Sequence, residues 1–200
     1  MGIDRAIRRA VFLDRDGVIN ENRADHVKTW SEFRFLPGAF DALAQLHTAG
    51  LLTFVITNQA VVNRGMVPRE TLDEINARMM TEVERRGGRI EAVAYCPHRP
   101  DERCRCRKPQ PGLILDLMER YRLSPRACVV IGDALSDIDA ARAAGTAAML
   151  VRTGRGREQY ALGLASGRFD LAVVPDLRSA VSRLLQPVGS LVLSSVGGVE

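Results

Sequence analysis

Two aspartates one residue apart, Asp14 and Asp16, follow directly on the apolar run Ala10 to Leu13 and precede Gly17. Three further polar sets stand where apolar runs end: Thr57-Asn58 after Leu52 to Ile56, Arg107-Lys108 in the loop after Ala92 to Tyr95, and Gly132-Asp133, with Asp137 beyond, after Cys128 to Ile131. Taken singly, each has an ordinary reading as a strand-ending turn or a helix cap. Their succession at the ends of consecutive apolar runs points instead to one shared site. Carboxylates gathered there repel unless a hard cation lies between them, and Mg²⁺ takes such oxygen ligands while keeping waters and substrate phosphate in its shell. Asp14 and Asp133 are the natural ligands. With Lys108 and the ion neutralising a phosphoryl group, Asp14 can attack phosphorus in line, and Asp16 can protonate the leaving oxygen and later activate water.

The elements that must position these residues alternate along the chain. Short buried-type strands are predicted at Ala10 to Leu13, Leu52 to Thr57, Ala92 to Tyr95, Cys128 to Ile131, Ala147 to Val151 and Leu171 to Val174. Helices are predicted at Gly38 to Ala49, from Pro68 to about Gly87, from Pro111 to Tyr121, at Asp137 to Ala144 and at Leu177 to Leu185. Such alternation makes a parallel sheet with helices on both faces, a three-layer α/β, Rossmann-like architecture, whose ligand crevice lies beyond the carboxyl ends of the strands. One domain over residues 1–185 is expected, with residues 186–200, rich in Gly, Ser and Val and without periodicity, as a C-terminal tail. Only small loops are left to cover the site.

Cys96, His98, Cys104 and Cys106 fall within one short segment. Three thiolates and one imidazole fit a closed tetrahedral Zn²⁺ site, which is structural rather than catalytic. The alternatives are a loop of free thiols or a Cys96–Cys104 disulfide, and the bridge leaves the clustering unexplained. Cys128, inside an apolar strand, reads as core. A net charge of +4 carries no dense basic block, so a mixed-charge surface and an anionic small substrate account for it better than nucleic acid. With no apolar run near the roughly 20 residues of a membrane span and no secretory signal, a cytoplasmic protein is expected, without a membrane partner and as a monomer.

The segments Phe12 to Val18, Val55 to Gln59, Arg107-Lys108-Pro109 and Ile131 to Asp137 resemble, in order and spacing, the four motifs of the haloacid dehalogenase (HAD) superfamily of phosphatases. The resemblance implies a HAD-like fold with a minimal cap. In it Asp14 is the nucleophile, Asp16 the general acid/base, Thr57 and Lys108 the phosphoryl-binding pair and Asp137 a supporting acid. Asp14, Asp133 and the Asp16 backbone carbonyl would bind Mg²⁺. The Cys/His loop resembles that of the heptose 1,7-bisphosphate phosphatases, which remove the 7-phosphate, and is shared by histidinol-phosphate phosphatases. This likeness implies substrate contacts from Arg107, Asn58, Gln59 and the loop carrying Arg23, Asp25 and His26. Val61, where the family usually has Gly, and Ala134, where some members place Lys, depart from the pattern. The competing readings are a histidinol-phosphate phosphatase, a nucleic-acid 3′-phosphatase and a non-enzymatic zinc-stabilised binding protein.

Overall fold

In the computed structural model, which describes residues 8–186, the polar sets meet because of how the strands are ordered. The strands are β1 (Ala10–Leu13), β2 (Leu52–Asn58), β3 (Ala92–Cys96), β4 (Cys128–Gly132), β5 (Ala147–Val151) and β6 (Val173–Val174); the helices are α1 (Ala39–Thr48), α2 (Arg69–Arg85), α3 (Gly112–Tyr121), α4 (Leu135–Ala143), α5 (Gly156–Ala165) and α6 (Leu177–Leu185). All pairings are parallel, in the order β3-β2-β1-β4-β5-β6. From β1 the chain first builds outward through β2 and β3, then returns to the other side of β1 with β4. The switch point therefore lies between β1 and β4, where Leu13 pairs with Ile131, and a crevice opens there at the carboxyl ends.

Strand alternation divides the core into two layers. Val11, Leu13, Val55, Val129 and Ile131 pack with buried residues of α1, α2 and α6, while Phe12, Phe54, Ile56 and Val130 pack with α3 and α4. Both faces of the central strands are covered, which is why they read as unbroken apolar runs rather than alternating ones. Among the described residues no inserted domain caps the crevice. Above it lies the β1–α1 connection, braced by Trp30, Phe33, Phe35 and Phe40 in a chain of ring contacts 4.2 to 6.4 Å apart.

Three differences from the expected elements have local causes. Helix α4 begins at Leu135, not Asp137, because Asp137 Oδ2 accepts the Ala134 N–H at 3.0 Å and so caps the turn from inside. Helix α5 is absent from the periodicity: Gly156 and Gly163 lower its propensity, and Leu162, half exposed, faces away from the core. Strand β6 is only two residues long at the sheet edge. Val61 does not have a positive φ; it is buried with Val67 and Leu72 in a small cluster of its own, so its side chain is used at the position where the family usually has Gly. The expected tail, Gln186 apart, lies outside the described residues. Among those residues no helix is long and apolar enough to cross a membrane.

Candidate active site and Cys/His loop

The crevice is a cleft of about 440 Å³, lined by Asp14, Asp16, Asn22, Arg23, Ala24, His26, Thr57, Asn58, Pro100, Arg107, Lys108, Ser136, Asp137 and Arg155. That volume suits a small metabolite, whose sites run from roughly 300 to 1,000 Å³.

Its floor is a charge cluster. Lys108 Nζ donates to Asp14 Oδ1 at 2.8 Å and to the Ile56 carbonyl at 2.8 Å, and lies 2.6 Å from Asp137 Oδ1. All three side chains are buried. Burial alone would neutralise the ammonium, but the Asp137 and Asp14 carboxylates outweigh it and hold Lys108 charged, above its ordinary range. Asp133 is fully buried beside them. Its Oδ2 accepts the Arg155 N–H at 2.8 Å, whereas Oδ1 has no hydrogen-bond partner among the described residues. The half-exposed Arg155 guanidinium lies 3.6 Å from Oδ1. Burial pushes Asp14 up to about 7, with Lys108 drawing it back and Asp137 and Asp133 pushing it further. Burial likewise raises Asp133 to about 6, against the Arg155 N–H.

Asp14, Asp133 and Asp137 offer carboxylate oxygens all within 4.8 Å of one another. Ionised, they set three negative charges against one ammonium, and the donor-less Asp133 oxygen faces the imbalance. The set fits a hard divalent cation by charge and by donor type. Two glycines let these carboxylates sit where they do. A side chain on Gly17, which has φ +90°, would run into the Asp133 carboxylate, and one on Gly132 would run into Asp137.

Asp16 reaches into the cleft from the turn after β1 and is surrounded by donors. Arg15 Nε and Nη2 approach its two oxygens at 3.2 and 3.3 Å, Asn20 Nδ2 donates at 2.9 Å and Gln59 Nε2 at 2.7 Å. Burial would raise its pKa, but Arg15 and these donors prevail and hold it below the ordinary carboxylate range.

The remaining expected residues divide between the cleft and its surroundings. Thr57 and Asn58 line it from the end of β2; Asn58 exchanges hydrogen bonds with the Lys108 backbone, at 3.0 and 3.1 Å, and so ties β2 to the basic loop. Arg107 lines the cleft and donates to the His98 carbonyl at 3.1 Å. Arg23 and His26 line the far wall. Burial and the Arg64 guanidinium, 3.3 Å from Nε2, hold the His26 imidazole below its usual pKa, hence neutral at pH 7. Gln59 is buried behind Asp16, donating also to Thr57 Oγ1 at 2.9 Å, and is not on the cleft wall. Asp25 points outward, paired with Arg23 and Lys28. Sequence reasoning passed over Arg155, although it follows the β5 carboxyl end and the same strand-end rule applied to it. It also passed over Asn22 and Ser136, which carry no separate motif.

Cys96 Sγ, His98 Nδ1, Cys104 Sγ and Cys106 Sγ form a compact group in which five of the six separations run from 3.2 to 3.5 Å and all lie within 4.8 Å. Tetrahedral Zn²⁺, with bonds of about 2.3 Å to sulfur and 2.0 Å to nitrogen, implies edges of about 3.5 to 3.8 Å. The four atoms thus match a tetrahedral set drawn in slightly, and all four cysteines of the chain are unbridged. The Cys96–Cys104 disulfide is not formed. The loop ends on Arg107 and Lys108, so its rigidity bears directly on the cleft.

A family model described as HAD-hydrolase-like matches residues 105–180. The chain is 40% identical over 177 residues to the D-glycero-beta-D-manno-heptose-1,7-bisphosphate 7-phosphatase of Pseudomonas putida, covering 88% of this chain and 99% of that protein. To the alpha-named 7-phosphatase of Mycobacterium tuberculosis it is 39% identical over 140 residues, covering 69% and 74%. Among solved structures, the D,D-heptose 1,7-bisphosphate phosphatase of Bordetella bronchiseptica, complexed with magnesium and phosphate, superposes with a TM-score of 0.84 at 38% identity, over 89% of this chain and 98% of that one.

Proposed function

The chain belongs to the HAD-like phosphatases, in the heptose 1,7-bisphosphate phosphatase family, and on that premise we propose that it removes the 7-phosphate of D-glycero-D-manno-heptose 1,7-bisphosphate. The β anomer is the preferred substrate, because the alignment with the beta-named relative runs nearly end to end. The observation that carries the reaction is the buried cluster in which Lys108 meets Asp14 and Asp137 beside Asp133.

Mg²⁺, held by Asp14, Asp133 and the Asp16 carbonyl, would neutralise charge on the phosphoryl oxygens. The chain's own groups supply the rest. Lys108 and Thr57 hold the phosphoryl group over Asp14, whose carboxylate attacks phosphorus as the phosphorus–oxygen bond to the sugar breaks. The electron pair leaves on the sugar oxygen, which takes a proton from Asp16. Water then attacks phosphorus in the aspartyl-phosphate, giving its proton to Asp16 and returning Asp14 as a carboxylate. In the resting site the donors around Asp16 favour its ionised form, the one needed for the second step. The proton for the first step enters with the anionic substrate, whose charge beside Asp16 raises its affinity for a proton. Arg107, Asn58, Arg23, His26 and Arg155 line the space for the sugar and its second phosphate. A structural Zn²⁺ on Cys96, His98, Cys104 and Cys106 braces Arg107 and Lys108.

The test is phosphate release from heptose 1,7-bisphosphate with Mg²⁺ present, beside histidinol phosphate under the same conditions. One phosphate per heptose, with at least about tenfold higher kcat/KM than for histidinol phosphate, is expected; a tenfold difference corresponds to about 1.4 kcal/mol of transition-state binding. Folded, metal-replete protein inactive on the heptose substrate would overturn the proposal.

A further inference from the structure

Arg15 is the largest fully buried side chain among the described residues, yet the steps above do not use it. Its fork spans Asp16, with Nη2 at 3.0 Å from Oδ2 in addition to the contacts already given. The guanidinium lies 5.9 Å from the Phe33 ring centroid. Its remaining nitrogen, Nη1, donates to Asn76 Oδ1 at 3.0 Å. Asn76 sits on α2 among Leu72, Ile75, Met79 and Val83, the only polar member of that helix's buried face. A buried amide is costly unless it makes a hydrogen bond, and this one accepts from Arg15, 61 residues away in sequence.

A bidentate guanidinium fixes the plane of a carboxylate as well as its position. The orientation of Arg15 is fixed in turn by its third contact. We infer that Asn76, acting through Arg15, is a positioning residue that sets the angle at which Asp16 presents its proton to the leaving oxygen. The inference rests on the proposed phosphatase reaction and adds to it a residue outside all of the motifs. Loss of the anchor leaves Asp14, Lys108 and Asp133 in place and lets Asp16 turn. The consequence falls on substrates whose leaving group must be protonated. A sugar alkoxide needs that proton, whereas p-nitrophenolate departs without it.

The experiment compares kcat/KM, which reports the steps through departure of the leaving group, for heptose 1,7-bisphosphate and p-nitrophenyl phosphate in Asn76→Leu, Asn76→Ala and Asn76→Asp, with melting temperatures alongside. Misplacement of a reacting group by an ångström costs up to about 100-fold. Asn76→Leu is therefore expected to lose about 10- to 100-fold on the heptose substrate and less than about threefold on the aryl phosphate. Asn76→Asp, which keeps an acceptor for Arg15, restores the ratio. Asn76→Ala leaves room for a water at Arg15, and it serves if the leucine variant does not fold. Equal losses on both substrates, or no loss on the heptose, would overturn the inference. Wild-type protein active on other alkyl phosphates but not on the heptose sinks the substrate reading alone, and the ratio is then taken on the alkyl phosphate it accepts.

Discussion

The carboxylate cluster should make the stability of the magnesium-free protein fall as pH rises, and Mg²⁺ should offset much of that fall. Asp14 and Asp133 are almost inaccessible and are raised from 3.8 to about 7 and about 6. Between the unfolded and folded values the folded state binds more protons than the unfolded one, so unfolding free energy declines with pH across that window. From pH 5 to pH 8 the change spans about two pH units for Asp14 and one for Asp133, or about 4 kcal/mol at 1.36 kcal/mol per unit. Because Asp133 is among the causes of the Asp14 shift, the two are not independent, and the Asp14 part alone, two units or about 3 kcal/mol, is the smaller bound. Lys108 stays protonated throughout the window, and Asp16 titrates below it, so neither alters the slope. His26, held below its usual value, opposes the trend near pH 6. For a domain of this size, 1 kcal/mol moves the melting temperature by about 2 to 4 °C. Protein dialysed free of magnesium, with zinc left in place, should melt about 6 to 16 °C lower at pH 8 than at pH 5. Mg²⁺ at about 100 times its dissociation constant adds about 2.7 kcal/mol, and protons compete for the same oxygens at pH 5. The magnesium-induced rise should therefore be at least twice as large at pH 8, and Asp133→Asn should abolish it. A magnesium effect equal at both pH values, or larger at pH 5, would refute the reasoning.

Asp14→Asn keeps the shape and an acceptor for Lys108 but removes the nucleophile; steady-state assays should show a loss of at least about 10⁴-fold in kcat with no loss of folded structure by circular dichroism. Lys108→Met leaves three buried carboxylates without their ammonium, and denaturant titration should register a loss of about 3 to 5 kcal/mol together with loss of turnover. Elemental analysis should find one zinc per chain; Cys106→Ser should lower that content, lower the melting temperature and reduce kcat through the displaced Arg107 and Lys108. Arg23→Ala, which removes a cation from the cleft wall, should raise KM for the heptose substrate about tenfold, the value of one charge-assisted hydrogen bond, and Asp25→Ala, on the outer side of the same loop, should raise it less than half as much.

What could be read from the sequence was whatever chemistry and covalent order fix together. The central strands β1 and β4 are unbroken apolar runs followed at once by site acids or the glycine before one, and burial on both faces favours such a run. The acids of the site were legible for the same reason: they lie within a few residues of a strand end, where the topology leaves no choice of direction. Asn76 was not legible because its role depends on the third dimension. Asn76 interrupts an apolar helix stripe, a pattern as consistent with tolerated polarity as with function until Arg15 is seen against it. Arg155 was within reach of the strand-end rule, which places it at the mouth of the cleft, but its support of Asp133 runs through its backbone N–H, a group every residue but proline has, so that task left no mark in residue type. Asp25 and Gln59 show the converse, since proximity in sequence to Arg23, His26 and Asn58 could not tell an outward side chain or a buried strut from one that faces the cleft. Side chains that touch the reacting atoms are chosen for their chemistry and leave a signature in residue type. Those that hold them in place are chosen for geometry, and in this molecule the substitutions at Asn76 are the means of measuring how much of the rate that geometry supplies.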